Sequence, residues 1–401
     1  MKILMCLDGY FPPDIRVEKE AKALSEAGHK VFILCRFKED CLEEEEYSYA
    51  SVLRLIPLNS FLMRVIKLLF MIIFGIDPIW TRYISRVIPE KKIDAVHVHD
   101  LPLVNTVSKI TVKKNLPLVV DLHENYPELI GLRRYTTFRS KLAGCFLNEK
   151  RWKNFQKSWL KKADRVITVV NEIGERLVKE YGVQEEKITI VMNTEDLDSF
   201  RSIPVNKDII QRYDPFFTIL YVGGFGIHRG IQTLISSMPG IKKVIPEAFL
   251  LIVGTGNNEN ELKQLTHDKG LDDSIEFTGW QPFTSVPSYI AASDVCLVPY
   301  INSIQTNNSS PHKLFQYMAL GKPVIVSSMK SLSRIIGETG AGLIFKAENP
   351  DSLTEQVIRL YRDKDLAMKT GQAGITAVKT KYNMQAEGKK LVELYESLRK
   401  W

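Results

Sequence analysis

The sequence predicts an α/β protein of two facing Rossmann-like doubly wound domains, each a parallel sheet with helices on both faces. Short apolar runs rich in β-branched residues alternate with amphipathic helical stretches. That alternation breaks at a polar segment and then restarts. At 401 residues the chain also exceeds the usual size of one hydrophobic core.

In the first half, residues 2–7, 30–34, 51–56, 95–98, 118–121 and 166–170 have strand character. Between them, residues 15–27 place Val17, Ala21, Leu24 and Ala27 at helical spacing, with Gly28 as a C-terminal stop. The acidic run 43–46 is expected as a solvated loop. Residues 196–215 carry Pro204 and Pro215, lack clear periodicity, and are expected to link the domains. The second half repeats the pattern with strands at 217–221, 249–253, 275–277, 295–298 and 324–326. Two such domains in tandem would place the C-terminal ends of their strands, and so their ligands, along a shared cleft.

Hydrophobic residues at 45% and charged residues at 25% are ordinary for a globular chain and exclude a disordered one. The net charge of +7 suits phosphorylated ligands or acidic headgroups; nucleic acid also fits the charge, but no nucleic-acid-binding motif accompanies it and none is expected as a partner. Cys6, Cys35, Cys41, Cys145 and Cys296 are scattered, with no CxxC pair, and read as free thiols of a reduced cytoplasm rather than as a zinc site or disulfide framework. The opening residues lack the small-residue cleavage site of a signal peptide.

Two loops could carry chemistry. Residues 221–230, Tyr-Val-Gly-Gly-Phe-Gly-Ile-His-Arg-Gly, run from a strand through glycines to His228 and Arg229, which are expected to open a helix. Glycines admit a ligand close to the backbone, and a helix start with an arginine suits a diphosphate; a plain tight turn is the alternative. Gly254-Thr-Gly256 is expected as a plain strand–helix turn. Residues 308–323 suggest a helix capped by Ser310, with Pro311 first, Gly321 at its end and Pro323 beyond. Its amides at His312 and Lys313 form a second candidate anion site, with Gln316 about one turn on; an ordinary capped core helix is the alternative.

Six segments in order make the chain resemble the retaining family-4 glycosyltransferases with the GT-B fold. They are residues 11–20, 96–100 (Val-His-Val-His-Asp), 121–127 (Asp-Leu-His-Glu-Asn-Tyr-Pro), 221–230, 277–280 and 313–323. The resemblance implies an acceptor-binding domain at 1–195, a nucleotide-sugar-binding domain at 216–380, and a terminal helix at 381–401 returning to the first domain. It implies a nucleotide-sugar donor as substrate, a glycan or lipid-linked acceptor, and neither cofactor nor metal. The DxD-like string Asp196-Leu-Asp198 falls in the expected linker and reads as chance.

Carried over position by position, the resemblance puts Gly223, Gly224, Arg229, His312, Lys313 and Gln316 around the donor. Members usually have Arg at position 224 and Lys at 229; this chain has Gly224 and Arg229, so one cation is absent and one kept. Members usually carry glutamates at 308 and 316, the second holding the ribose hydroxyls; here stand Asn308 and Gln316. A glutamine can still accept from one hydroxyl and donate to another.

His123 alone would read as a core or capping residue; the resemblance puts it beside the transferring sugar, as a catalytic residue with Arg229. His97 and His99 are expected to face opposite sides of a strand end, His99 with Asp100 toward the acceptor and His97 structural. Asp14 and Arg16 are acceptor candidates or simple helix-start charges. In the implied mechanism, Arg229 and the amides near His312 and Lys313 stabilise the departing diphosphate. Attack comes from the same face, and no side-chain general base is named.

Residues 61–76 are the most apolar stretch, interrupted by Arg64 and Lys67: a core helix or one lying in a membrane interface. Cations at 133, 134, 139, 141, 150, 151, 153, 157, 161, 162 and 165 are interleaved with Trp152, Phe155 and Trp159. That pattern fits an anionic membrane surface, placing the protein at the inner face of the cytoplasmic membrane, or a solvated basic face over buried aromatics. Three functions follow: an active transferase of surface polysaccharide or lipopolysaccharide assembly, a nucleotide-sugar-binding or activator subunit, and a sugar-nucleotide epimerase.

Overall fold

The computed structural model describes residues 1–56, 61–123, 125–132 and 148–398. Contacts divide the chain into two compact units. One is Met1–Met192 together with the chain from Glu387 onward; the other is Asn193–Ala386.

The first unit is built on one sheet. Its strands are β1 (Lys2–Tyr10), β2 (Lys30–Arg36), β3 (Glu44–Glu46), β4 (Ser51–Leu55), β5 (Ala95–His99), β6 (Leu118–Leu122), β7 (Arg165–Thr168) and β8 (Ile188–Ile190). They lie in the order β3-β4-β2-β1-β5-β6-β7-β8. All neighbours are parallel except β3 and β4. Leu118–Leu122 is buried at every position, as a strand covered on both faces must be.

The acidic run is a strand and not the expected loop. Glu44–Glu46 pairs antiparallel with β4 at the sheet edge, and Glu45 meets the fully buried Arg54 side chain at 2.8 Å. Neutralising an otherwise unpaired buried guanidinium gives those acids a structural task.

The helix Ile15–Glu26 buries Val17, Ala21 and Leu24, as their spacing requires, and also Glu20, a carboxylate on the core face. Leu391, Leu394 and Tyr395 of the helix Met384–Leu398 join the core formed by β1 and β2. Glu387 of that helix accepts from the Met192 amide at 2.8 Å.

The second unit has a six-stranded sheet: β9 (Phe217–Val222), β10 (Ala248–Val253), β11 (Ile275–Phe277), β12 (Val295–Val298), β13 (Val324–Ser327) and β14 (Gly342–Phe345). The order is β11-β10-β9-β12-β13-β14, parallel throughout. In each sheet the strand order reverses beside one central strand, β1 or β9, where an open α/β sheet leaves a crevice at its C-terminal edge.

The segment expected as a linker carries two helices, Leu197–Ser202 and Lys207–Tyr213, packed into the second unit. Phe200 and Tyr213 are buried, Arg201 donates to Ala319 O at 2.7 Å, and the Asn206 amide donates to Ser288 Oγ at 2.9 Å. Asp196 caps the first of these helices through Ser199 N. Among the described residues no helix is long and apolar enough to cross a membrane. Cys6, Cys35 and Cys296 are buried free thiols and Cys41 a half-buried one; Cys145 lies outside the described residues.

Candidate functional site

Each unit gathers functional side chains at the C-terminal edge of its sheet, and the two sets differ in chemistry. In the first unit β1 leads into Phe11-Pro12-Pro13 and then Asp14, which caps the helix Ile15–Glu26 by accepting from the amides of Arg16 and Val17. Arg16 closes back on Asp14 with Nε at 3.1 Å and Nη2 at 2.7 Å. Burial pushes the Asp14 carboxyl up, but Arg16's hydrogen bond and charge outweigh it and hold the carboxyl below its usual range. The two acceptor candidates are thus each other's partners.

His97 and His99 share one face of β5, contrary to the expectation of opposite sides. Residues two apart on a strand point the same way. Their rings stack 4.4 Å apart, and both turn toward Asp121 on β6. His99 Nδ1 lies 3.0 Å from Asp121 Oδ2, and His97 Nε2 lies 3.8 Å from the same oxygen. His123, two residues past Asp121, turns back so that its Nε2 pairs with that oxygen too. Glu20 Oε2 is 3.7 Å from His97 Nε2, and the Tyr395 hydroxyl shares a 3.0 Å hydrogen bond with His97 Nδ1.

Burial sets most of the protonation. It drives the His97 pKa down to about 4 and lowers His99 despite Asp121. It raises Glu20 well above the carboxylate range, helped by the Asp121 charge. Asp121 is the exception: burial opposes its charge, but the charge and hydrogen bonds of the histidines hold it well below its usual value. His123 is raised, because Asp121 overcomes its burial. The cluster is therefore built around one pairing, Asp121 with His123, in which each partner favours the charged form of the other. Glu20, His99, Asp121 and His123 also bring ligand atoms within 4.8 Å of one another, a donor set that a divalent cation could use. His123, whose protonated form Asp121 favours, already pairs with that carboxylate.

In the second unit β9 runs into Gly223, whose φ of 134° favours glycine. A Cβ there would also lie 2.6 Å from Lys313 Nζ. The Gly254–Gly256 turn is more than a connection: Thr255 O accepts from Phe225 N at 3.1 Å, bracing the glycine loop. His228 and Arg229 do not open the following helix as expected. They form a short 3-10 turn, Ile227–Arg229; Gly230, at φ 71°, is the cap, and the helix begins at Ile231. Arg229 instead donates to the Tyr300 hydroxyl and lies 4.9 Å from that ring's centre.

The helix on the other side is His312–Ala319, capped at Pro311, one residue later than expected; Ser310 makes no cap bond. Its Tyr317 hydroxyl accepts from the Val222 amide at 2.9 Å, pinning the helix to the end of β9. Lys313 reaches back so that Nζ lies 3.8 Å above the Tyr221 ring. Burial, then the nearby Arg229 charge, pushes the Lys313 pKa well down; the same effects bring His228 to about 4. Gln316 donates from Nε2 to Glu195 Oε2 at 2.7 Å. Asn308 caps the short helix Ile304–Asn307 and donates to Ile304 O, and Gly224 is exposed.

Sequence reasoning missed Asp121, Glu20, Tyr395 and Glu195. Two signals were present: acids on otherwise apolar faces, Glu20 in its helix and Asp121 in the run Leu-Val-Val-Asp-Leu. Tyr395 and Glu195 come from distant sequence, and no local pattern marks them.

Two parallel-sheet α/β domains with a polar site at a switch point in each are the architecture of the GT-B fold. The Glycosyltransferase Family 4 model matches residues 15–199, and the Glycosyl transferases group 1 model matches residues 202–377. The chain belongs to the family-4, group 1 glycosyltransferases. It is 24% identical over 247 residues to an uncharacterized glycosyltransferase of Methanocaldococcus jannaschii, covering 61% of this chain and 62% of that one. It is 26% identical over 207 residues to a GDP-mannose-dependent alpha-(1-6)-phosphatidylinositol monomannoside mannosyltransferase of Mycobacterium tuberculosis, covering 49% of this chain and 53% of that one. The chain thus spans 53% to 62% of the length of these curated relatives. Sucrose-phosphate synthase from Thermosynechococcus elongatus shares the fold with a TM-score of 0.78 at 18% identity, over 100% of this chain and 99% of that one.

Proposed function

We propose that this glycosyltransferase moves a sugar from a nucleotide-sugar donor to a glycan or lipid-linked acceptor, with retention of anomeric configuration, in surface polysaccharide or lipopolysaccharide assembly. The observation that carries the donor assignment is the pair of cations at the end of β9. Arg229 and Lys313 rest there on tyrosine rings beside the glycine loop, whose Gly224 is exposed, and no carboxylate among the described residues pairs with them. A diphosphate is the anion that completes such a pair. The GDP-mannose dependence and the phosphatidylinositol acceptor named for the mycobacterial relative support a nucleotide sugar and a lipid-linked acceptor.

The hard step is departure of the nucleoside diphosphate, and charge develops on its phosphate. Arg229 and the amides of His312 and Lys313 meet that charge, so no metal or resident cofactor is called upon. His123, whose protonated form is favoured by its pairing with Asp121, brings a donor group to the sugar, and the leaving phosphate takes the acceptor's proton. Asp14 and Arg16 line the acceptor side; His99, expected there from the sequence, is instead fully buried against Asp121 and supports the site from beneath.

An anionic membrane surface is the second partner. The aromatics expected to face it do not: Trp152 and Trp159 are buried, and Phe155 stacks on Trp159 at 4.5 Å. The outward apolar groups belong to the helix Phe61–Phe74, where Leu69, Phe70, Ile73 and Phe74 are exposed. Arg151 donates to Ile72 O of that helix, joining it to the basic helix Glu149–Leu160. An apolar face beside cations is the arrangement that binds an anionic bilayer. Arg133, Arg134, Arg139 and Lys141 of the expected basic tract lie outside the described residues.

The test is incubation of the purified chain with nucleotide sugars and extracted lipid acceptors, with and without EDTA. Release of nucleoside diphosphate with sugar transfer, unchanged by EDTA, is the expected result. Donor binding without turnover would make the chain a binding subunit, and conversion of the sugar without diphosphate release would make it an epimerase.

A further inference from the structure

The inference rests on the donor reading above and concerns which side chains supply the charges of that site. Lys313 and Gln316 are three residues apart on the helix His312–Ala319, so they share a face. Neither is an ordinary surface group. Lys313 is 9% exposed, and its Nζ has no hydrogen-bond partner among the described residues. An ammonium taken out of water without an acceptor is costly, and the Tyr221 ring offsets only part of that cost. The glycine at 223 leaves the space into which Nζ points.

One turn along, the Gln316 amide is locked. Its Nε2 donates to a Glu195 carboxylate that is 5% exposed. The other Glu195 oxygen accepts from Asp196 N at 3.0 Å. The Glu195 backbone is fixed by a parallel bridge to Asn383 and by the Met384 amide donating to its carbonyl at 3.1 Å. With the amide nitrogen committed to the carboxylate, the Gln316 carbonyl oxygen turns the other way, as an acceptor.

The geometry points to Lys313 and Glu195 as the charged pair of the nucleoside diphosphate site. An incoming diphosphate supplies the counter-charge that lets Lys313 Nζ, reaching over Gly223, hold its proton and meet that ligand as an ammonium, and Glu195 positions Gln316 so that its carbonyl accepts from a ribose hydroxyl. Two neutral residues, Gly224 and Gln316, thus serve a charged ligand because each missing charge arrives from elsewhere in the fold. Glu195 acts through Gln316 and is a positioning residue. A glutamate at 316 would set two carboxylates in contact, a strongly unfavourable buried pair.

Calorimetric titration of the full chain with UDP, GDP, ADP and dTDP, and in parallel with inorganic pyrophosphate, tests this. Lys313→Met should weaken both the preferred nucleoside diphosphate and pyrophosphate by roughly 10- to 100-fold, the worth of a charged hydrogen bond. Lys313→Arg should keep much of that affinity. Gly224→Arg should restore it in the Lys313→Met chain, since a Cβ there meets only Thr255 O at 3.8 Å. Glu195→Gln and Gln316→Glu should each weaken the nucleoside diphosphate and leave pyrophosphate, which has no ribose, unchanged. The double exchange Glu195→Gln with Gln316→Glu should recover the loss. Unchanged nucleotide affinity in Lys313→Met, or equal losses of nucleotide and pyrophosphate in Glu195→Gln, would overturn the assignment while the donor reading stands. A parent chain that binds pyrophosphate but none of the four nucleotides would overturn the donor reading, and the ribose role with it.

Discussion

In the first unit the buried charges are settled within the protein. Asp121 has His123 and His99, Asp14 has Arg16, and Glu20 is held in its neutral form. In the second unit Arg229 and Lys313 lie together on Tyr300 and Tyr221, with no carboxylate partner among the described residues. A self-balanced cluster contributes to the fold whether or not anything is bound. An unbalanced one disfavours the charged form of its lysine until an anion arrives, as sites poised for charged ligands do. The comparison therefore separates a site that orients a group from a site that awaits a ligand, and single substitutions should affect the two differently.

The largest effect should come from Asp121→Asn. It takes the carboxylate away from the buried histidines that face it, and removing one member of a buried pair costs about 3–5 kcal/mol. Denaturant unfolding of both chains measures it; a loss below about 1 kcal/mol would mean the cluster is not balanced by that pair. The pH dependence has a definite sign. The His123 pKa is raised above its ordinary value of 6.5, so the pair's contribution is complete below that pH and is lost as pH rises through the folded value. The Asp121 pKa is depressed below 3.8, so its contribution persists above that pH and disappears only in stronger acid. The stability gap between parent and Asp121→Asn should therefore narrow on the alkaline side.

Arg229→Ala should do the opposite: keep the fold and lose chemistry. Removing one donor aimed at developing charge typically costs on the order of 100- to 1000-fold in turnover. A variant with near-normal turnover would take Arg229 out of the mechanism. The smallest effect concerns the outer face of the first unit. Exchanging the exposed Lys150, Lys157 and Lys161 for Gln should weaken binding to anionic vesicles by roughly fivefold per cation, more at low salt, with donor binding intact. Lys153 is a poorer choice, because it pairs with Glu149 at 2.6 Å. Equal vesicle binding by variant and parent would leave those cations as a solvated face.

How legible each part was in the sequence follows from the range of the interactions. The strands of both sheets could be read because apolar period and turn residues are local signals; the edge strand β3 could not, because its reason is the buried Arg54 of β4. The glycine loop after β9 was legible as a close-approach segment, yet Arg229 was misplaced on a helix start by one glycine, Gly230 in the left-handed region. The strand period of two places His97 and His99 on one face, and their stacked rings show it, against the expectation of opposite sides. Glu195 beside Gln316 joins positions 121 residues apart, and only the folded chain brings them into contact.

The central claim is that the second unit is completed by a nucleoside diphosphate, and the most direct measurement is thermal unfolding of the parent chain across nucleoside diphosphates. A ligand at about 100 times its dissociation constant adds roughly 2.7 kcal/mol, a shift that is readily seen. The account predicts that at least one of UDP, GDP, ADP or dTDP raises the midpoint in the parent and does so far less in Arg229→Ala. No shift with any of them, or the same shift in Arg229→Ala, would contradict it.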